Sequence, residues 1–216
     1  MIPLLQNLKT VILANGGFPE HEIPLSFLKT AQRIICCDGA TEKLLAFGRE
    51  PDAIVGDFDS ISEALKQRFA SILFHNSDQE TNDLTKSVRF CIEYGWDTIS
   101  ILGATGKRED HTIGNLSLLT DYGRMAQVQL LTDYGVFNPQ HQSAIYESYQ
   151  GQQVSIFSLS PPTLLTTQNL VYPIKNRKLT SWWQGTLNEA TGETFGIAID
   201  RGEILVFREY RRQAFA

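Results

Sequence analysis

A chain of 216 residues, 42% hydrophobic and 20% charged, can bury a sizeable core, and that composition excludes disordered and fibrous classes. A net charge of −5 and a pI near 5.4 speak against a nucleic-acid partner, because such proteins present a basic face. No apolar run is long enough to span a bilayer, and Met1-Ile2-Pro3-Leu4-Leu5 lacks the basic region and cleavage site of a signal peptide, so no membrane partner and a cytoplasmic location are expected.

Leu8 to Ala14 reads as a β-strand ended by the turn Asn15-Gly16-Gly17, and Pro24 to Lys29 as a short helix. Arg33 to Cys37 is a second apolar strand. It stops at Asp38-Gly39-Ala40 before a helical pattern through Leu44, Leu45 and Phe47, closed by Gly48. Ala53 to Val55 forms a third strand, followed by a helix over Ile61 to Phe69 and a short strand over Ser71 to Phe74. Asp83 to Tyr94 places Leu84, Val88, Cys91 and Ile92 on one helical face, with Thr81 or Asn82 as its cap. Thr98 to Leu102 is a strand, Gly103 to Arg108 a turn, His111 to Tyr122 a helix, and Val128 to Thr132 the last strand of the series.

This alternation implies a doubly wound, mostly parallel α/β domain, expected over residues 1–138, whose ligands bind beyond the carboxyl ends of the strands. After Asn138-Pro139 the helical period disappears. Gln153 to Leu159, Leu170 to Ile174, Phe195 to Ile199 and Glu203 to Phe207 read as short strands separated by turns such as Ser160-Pro161-Pro162. Residues 139–216 are therefore expected to form a small all-β antiparallel sandwich or barrel. Cys36, Cys37 and Cys91 make neither a CxxC pair nor an even framework and read as core residues in a reducing compartment, while Arg208, Arg211 and Arg212 read as a solvated tail.

The stretch with the strongest chemistry is Gly56-Asp57-Phe58-Asp59-Ser60. Alternation along an extended chain would send Asp57 and Asp59 to one side, and two carboxylates about 4 Å apart repel by roughly 4 kcal/mol at an effective dielectric near 20. A bound Mg²⁺ would remove that conflict and bring phosphate oxygens with it. The plainer reading is a solvated pair capping the next helix. Asp78-Gln79-Glu80-Thr81-Asn82-Asp83 is the second acidic cluster: its acids either favour the following helix dipole, or Asp83 meets the metal while Gln79 or Thr81 meets phosphate. Gly103-Ala104-Thr105-Gly106-Lys107-Arg108 fails the Walker A spacing but presents Lys107 and Arg108 beside Asp110-His111, where Arg108 either clamps phosphate or pairs with a neighbouring acid. Trp182-Trp183 reads either as packing or as a platform under a flat cationic heteroaromatic.

These segments, with Asn115-Leu116 and the tail motif Gly185-Thr186-Leu187-Asn188-Glu189, occur in the order and spacing of thiamin pyrophosphokinases, which the chain resembles over both expected domains. The resemblance implies transfer of pyrophosphate from ATP to the thiamin hydroxyl, giving thiamin diphosphate and AMP, in a Mg²⁺-dependent homodimer with sites between subunits. By motif position, Asp57, Asp59 and Asp83 would hold Mg²⁺, and Asp38, Ser60, Gln79, Thr81 and Arg108 would line the nucleotide. Asp110 would sit at the junction with thiamin and Asn188 would meet the aminopyrimidine; Asp59 or Asp110 would accept the hydroxyl proton. The chain differs at Lys107, where the family often has glycine, and at Leu187, where it has serine. A pyrophosphokinase for another hydroxymethyl heterocycle such as a pterin, an aspartate-nucleophile phosphatase, and a non-catalytic nucleotide or thiamin sensor are the competing readings.

Overall fold

The computed structural model describes residues 10–158 and 164–211. Leu8, Lys9, Leu159, the turn Ser160-Pro161-Pro162, Arg212 and the N-terminal Met1 to Leu5 lie outside them. The described chain divides into two compact units, residues 10–118 with 125–133, and residues 119–124 with 134–211.

The first unit contains six strands, β1 (Thr10–Leu13), β2 (Arg33–Cys37), β3 (Ala53–Gly56), β4 (Leu73–His75), β5 (Thr98–Leu102) and β6 (Gln127–Leu131). They pair in parallel in the order β4-β3-β2-β1-β5-β6. Helices α1 (Glu22–Thr30), α2 (Thr41–Ala46), α3 (Glu63–Arg68), α4 (Asp83–Glu93) and α5 (Glu109–Met125) make the crossovers. β-branched and thiol side chains suit the central strands, which are buried on both faces: Ile34, Ile35, Cys36 and Cys37 are all buried, as parallel sheets require. α4 turns Leu84, Val88 and Cys91 to the sheet and leaves Arg89 and Glu93 exposed, and Asn82, not Thr81, caps it by accepting from Thr85 N–H.

The register aligns the strand ends. Leu13 lies level with Cys36 and with Leu102, and Cys37 with Val55, so these four strands end together. The strand order reverses between β1 and β5, which makes the edge beyond them the switch point where open α/β sheets bind ligands.

In the second unit β7 (Gly135–Gln140), β14 (Ile204–Glu209), β9 (Gln153–Ser158) and β12 (Asn188–Glu189) pair antiparallel, as do β8 (Ala144–Glu147), β13 (Thr194–Ile199), β10 (Leu164–Gln168) and β11 (Arg177–Lys178). Alternate residues point inward along β9, and Val154, Ile156, Leu165, Phe195, Ile197, Ile204 and Val206 form one core.

Three expectations change. Leu170 to Ile174 is not a strand: Leu170 makes one isolated bridge, Pro173 offers no N–H, and Asn169 sits at φ +59°, so the chain turns while Leu164–Gln168 takes the ladder position. The helix expected over Ile61 to Phe69 is shorter, because Ser62 is extended at its cap. Arg208 is not a solvated tail residue but is buried, its guanidinium 5.0 Å from the Tyr146 ring centroid and 3.0 Å from Asn138 Oδ1. Among the described residues no helix is long and apolar enough to cross a membrane.

Ile35 is fully buried on a central strand, so Ile35→Ala should lower unfolding free energy by about 3 kcal/mol through lost transfer energy and a residual cavity. A urea midpoint equal to wild type would show that β2 is not part of the cooperative core.

Candidate active site

Because β1, β2, β3 and β5 end level, the residues just past them meet. A cavity of about 470 Å³ opens there, lined among others by Asn15 and Gly16 after β1, Cys37 at the end of β2, Asp57 after β3, Gln79, Thr81, Asp83 and Lys86 around the start of α4, and Lys107, Arg108, His111 and Asn115 after β5. Asn115 fastens its walls: its Nδ2 donates to Ala104 O at 2.8 Å, and its Oδ1 accepts from Asn82 Nδ2 at 3.1 Å.

Asp57 and Asp59 converge, though not by strand alternation. β3 ends at Gly56, and Phe58 turns the chain at φ +65°, a left-handed conformation that costs a non-glycine residue about 1–2 kcal/mol. The turn brings Asp59 N–H to Asp57 Oδ1 at 3.3 Å, and Ser60 Oγ to Asp59 Oδ1 at 2.7 Å. Such strain is retained where it places functional groups.

The third acid of this group is Asp38, which the motif order assigns to the nucleotide. One carboxylate oxygen from each of Asp38, Asp57 and Asp59 lies within 4.8 Å of the others. Asp38 is only 2% exposed; its Oδ2 accepts from Ser60 N–H at 3.1 Å, and its Oδ1 is buried without a partner among the described residues. Burial first, then the neighbouring Asp83, Asp59 and Asp57, push its carboxyl above the ordinary range. Asp83, expected as a metal ligand, has its Oδ1 3.1 Å from the ammonium of Lys86, whose side chain is 3% exposed. Gly56 makes this crowding feasible, since a Cβ there would lie 2.9 Å from the Asp38 Cβ and 3.4 Å from the Asp83 carboxyl carbon. An orphaned buried carboxylate oxygen beside two more carboxylates is a donor set that fits a hard divalent cation.

Gln79 is exposed and Thr81 donates to Asp78 Oδ2 at 2.7 Å, both on the cavity wall. Arg108 and Asp110 form an exposed bidentate pair, 3.1 Å from Nε to Oδ1 and 2.5 Å from Nη2 to Oδ2. The Arg108 hydrogen bond holds the Asp110 carboxyl down to about 2, so this charge is complete at neutral pH and is lost only as pH falls through that value. Cys37, though it lines the cavity, has its thiol pushed up to about 12 by burial and is no nucleophile.

Asn188, Trp182 and Trp183 belong to the second unit. Asn188 is buried and engaged: its Nδ2 donates to Tyr172 O at 2.7 Å, and its Oδ1 accepts from Tyr172 N–H at 3.0 Å and Glu189 N–H at 2.9 Å. It braces the turn in which Leu187 sits at φ +55°. Trp182 and Trp183 are 44% and 73% exposed.

Sequence reasoning misses Asn15, Lys86 and Lys43, which bonds to Asn15. The Asn15-Gly16-Gly17 turn is the available signal for the first, and the three-residue spacing from Asp83 for the second.

Residues 25–131 match the family model described as thiamin pyrophosphokinase, catalytic domain, and residues 135–207 that described as thiamin pyrophosphokinase, substrate-binding domain. Thiamine pyrophosphokinase 1 of Oryza sativa subsp. japonica is 32% identical over 132 residues, 55% of this chain and 50% of that protein. Thiamine pyrophosphokinase of Bacillus subtilis (strain 168) is 32% identical over 118 residues, 52% of this chain and 55% of that protein. The matches thus span about half the length of these relatives. Among solved structures, thiamine pyrophosphokinase from Bacillus subtilis superimposes with a TM-score of 0.78 at 23% identity, covering 94% of this chain and all of that one. Thiamin pyrophosphokinase from Candida albicans gives a TM-score of 0.78 at 22% identity over 94% of this chain and 90% of that one, so the fold is shared. With a family model matching each unit in turn, the chain belongs to the thiamin pyrophosphokinase family.

Proposed function

We propose that the protein transfers the pyrophosphoryl group of ATP to the hydroxyl of thiamin, releasing AMP and thiamin diphosphate. The observation that carries the reading is the carboxylate group of Asp38, Asp57 and Asp59 at the sheet's switch point, within the segment that matches the family's catalytic domain. In this reading the first unit holds ATP and the second holds thiamin.

Asp38, Asp57 and Asp59 would hold Mg²⁺, which would neutralise phosphate oxygens and polarise the phosphorus under attack. Asp83 stands beside them, oriented by its ion pair with Lys86. Gln79, Thr81 and the backbone N–H groups ahead of α4 line the polyphosphate. Arg108 offers the guanidinium edge not taken by Asp110 to oxygens that gain charge as the β-phosphorus is attacked in line. Asp110, held as a carboxylate well below the ordinary range, is a weak base and a strong anchor for Arg108, and the hydroxyl proton passes late to Asp59 or Asp110.

Trp182 and Trp183 provide the face for the thiazolium cation, and their exposure together with that of Tyr172 and Leu187 favours a homodimer in which a second copy covers them. The buried free thiols of Cys36, Cys37 and Cys91 suit a reducing cytoplasm.

Incubation with ATP, Mg²⁺ and thiamin should yield AMP and thiamin diphosphate in equal amounts. ADP as product, or thiamin binding with no AMP at any enzyme level, would sink the reading, and a pterin alcohol consumed in preference to thiamin would replace the substrate. Asp57→Asn should lower turnover by about a thousandfold or more. Its melting temperature without Mg²⁺ should equal or exceed that of wild type, because a repulsion has been removed. Asn188→Ala should destabilise by about 2–4 kcal/mol through the unpaired Tyr172 backbone groups, whereas Trp183→Ala should raise the thiamin KM with stability unchanged. Denaturation and steady-state kinetics on the two variants separate a brace from a platform.

A further inference from the structure

Two ammonium groups meet at Asn15, a residue of the cavity wall, with no acid paired to either among the described residues. Lys43 of α2 and Lys107 of the loop after β5 both place Nζ 3.4 Å from the same oxygen, Asn15 Oδ1. Lys43 also donates to Gly16 O at 2.7 Å, and Lys107 to Asn15 O at 2.8 Å. Among the described residues these neutral oxygens accept from both ammonium groups, and no carboxylate forms an ion pair with either. An ammonium has three donors, so each lysine keeps capacity for a further acceptor. Burial, then the adjacent Lys107, draw the Lys43 ammonium down to about 8.

The arrangement is held by backbone. Gly16 N–H donates to Gly103 O and Gly17 N–H to Thr105 O, each at 2.6 Å, stitching the loop after β1 to the loop after β5. A Cβ at Gly16 would lie 2.2 Å from Gly103 O and 2.5 Å from Thr105 O, so only glycine allows this approach. Lys107 is thereby brought to the Asn15 loop, to which Lys43 also bonds from α2 even though like charges repel. Asn15, Gly16 and Lys107 line the same cavity as Asp57, Asp83 and Arg108.

A paired cation with neutral anchors is a receptor for a dianion, which would satisfy the free N–H groups and cancel the repulsion at once. We propose that Lys43 and Lys107 bind the terminal phosphate of a nucleoside triphosphate whose inner phosphates occupy the adjoining cavity. The choice of a triphosphate rests on the proposed pyrophosphoryl transfer; the anion site itself rests on the lysine pair. Holding the terminal phosphate fixes the leaving direction of the nucleotide and orients the inner phosphorus for attack, so the pair positions and does not itself react.

Titration calorimetry with ATP, AMP and inorganic pyrophosphate tests the site, using wild type, Lys43→Met/Lys107→Met and Lys43→Arg/Lys107→Arg. The Met pair should bind ATP and pyrophosphate about tenfold or more weaker with AMP unchanged, and should raise the ATP KM without moving that for thiamin; the Arg pair should restore most of the affinity. Unchanged ATP affinity in the Met pair overturns the proposal, as does an equal loss for AMP, or a loss confined to free pyrophosphate. Lys107→Met alone, at an exposed position, gives the same reading if the double variant fails to fold. Lysine-dependent ATP binding by a wild-type protein that never forms AMP with thiamin would retain this site and remove the proposed reaction.

Discussion

Negative charge gathered at the ends of neighbouring parallel strands is the constraint on which this molecule turns. Asp38, Asp57 and Asp59 share a space of less than 5 Å, Asp83 stands close behind, and the buried Lys86 is matched to Asp83. Such a cluster is unfavourable in isolation, because carboxylates at this separation repel by several kcal/mol and Asp38 has given up most of its water. The fold supports it by other means: a flush set of strand ends, a glycine that leaves room between two side chains, a left-handed Phe58, and the backbone N–H of Ser60. The sheet core supplies the stability that the site lacks.

Acids enter the cavity from one set of loops and most cations from another, Lys86 beside Asp83 excepted. Asp57 and Asp83 follow β3 and open α4, whereas Lys107 and Arg108 follow β5, and Lys43 of α2 meets the Asn15 loop. A site of uniform sign would attract a simple ion. One divided between carboxylates and ammonium groups suits a chain of phosphates that carries its own divalent counter-ion, since acids can meet the metal while lysines meet oxygens the metal does not reach. The division follows from topology, as the strand order places the loops after β1 and β5 side by side while the acids arrive from β2, β3 and the start of α4.

Much of this was legible in the amino-acid order. Arg33–Cys37 and Thr98–Leu102 are rich in β-branched and apolar residues and take up strand over the expected residues, and the edge at which Asp38, Asp57, Asp83 and Arg108 gather follows from strand–helix alternation. The membership of the carboxylate group was not legible, because a repeat of two along the chain says nothing about a turn that begins at Gly56, nor about which acid a neighbouring strand brings across. Lys43 could not be found either: it sits on an ordinary amphipathic turn, and only the packing of α2 against the Asn15 loop gives it a partner. In the second unit, Leu170 to Ile174 has strand composition, yet a proline and a left-handed asparagine decide otherwise. Local preference there yields to the hydrogen bonds that Asn188 offers the Tyr172 backbone.

Asn188 and Asp110 are both tied to the protein around them. Each occupies a place where a ligand contact is expected, and each also bonds within the protein, Asn188 to three backbone groups and Asp110 to a guanidinium and the His111 N–H. A group held in this way loses a partner if it turns toward a ligand. Its contribution is geometric: Asn188 sets the backbone from which the exposed Leu187 projects, and Asp110 holds the Arg108 fork. Asp38 Oδ1 and the Lys43 ammonium have unused capacity and an ionisation that the surroundings oppose, and a ligand that relieves both is bound most strongly where the protein alone is least content.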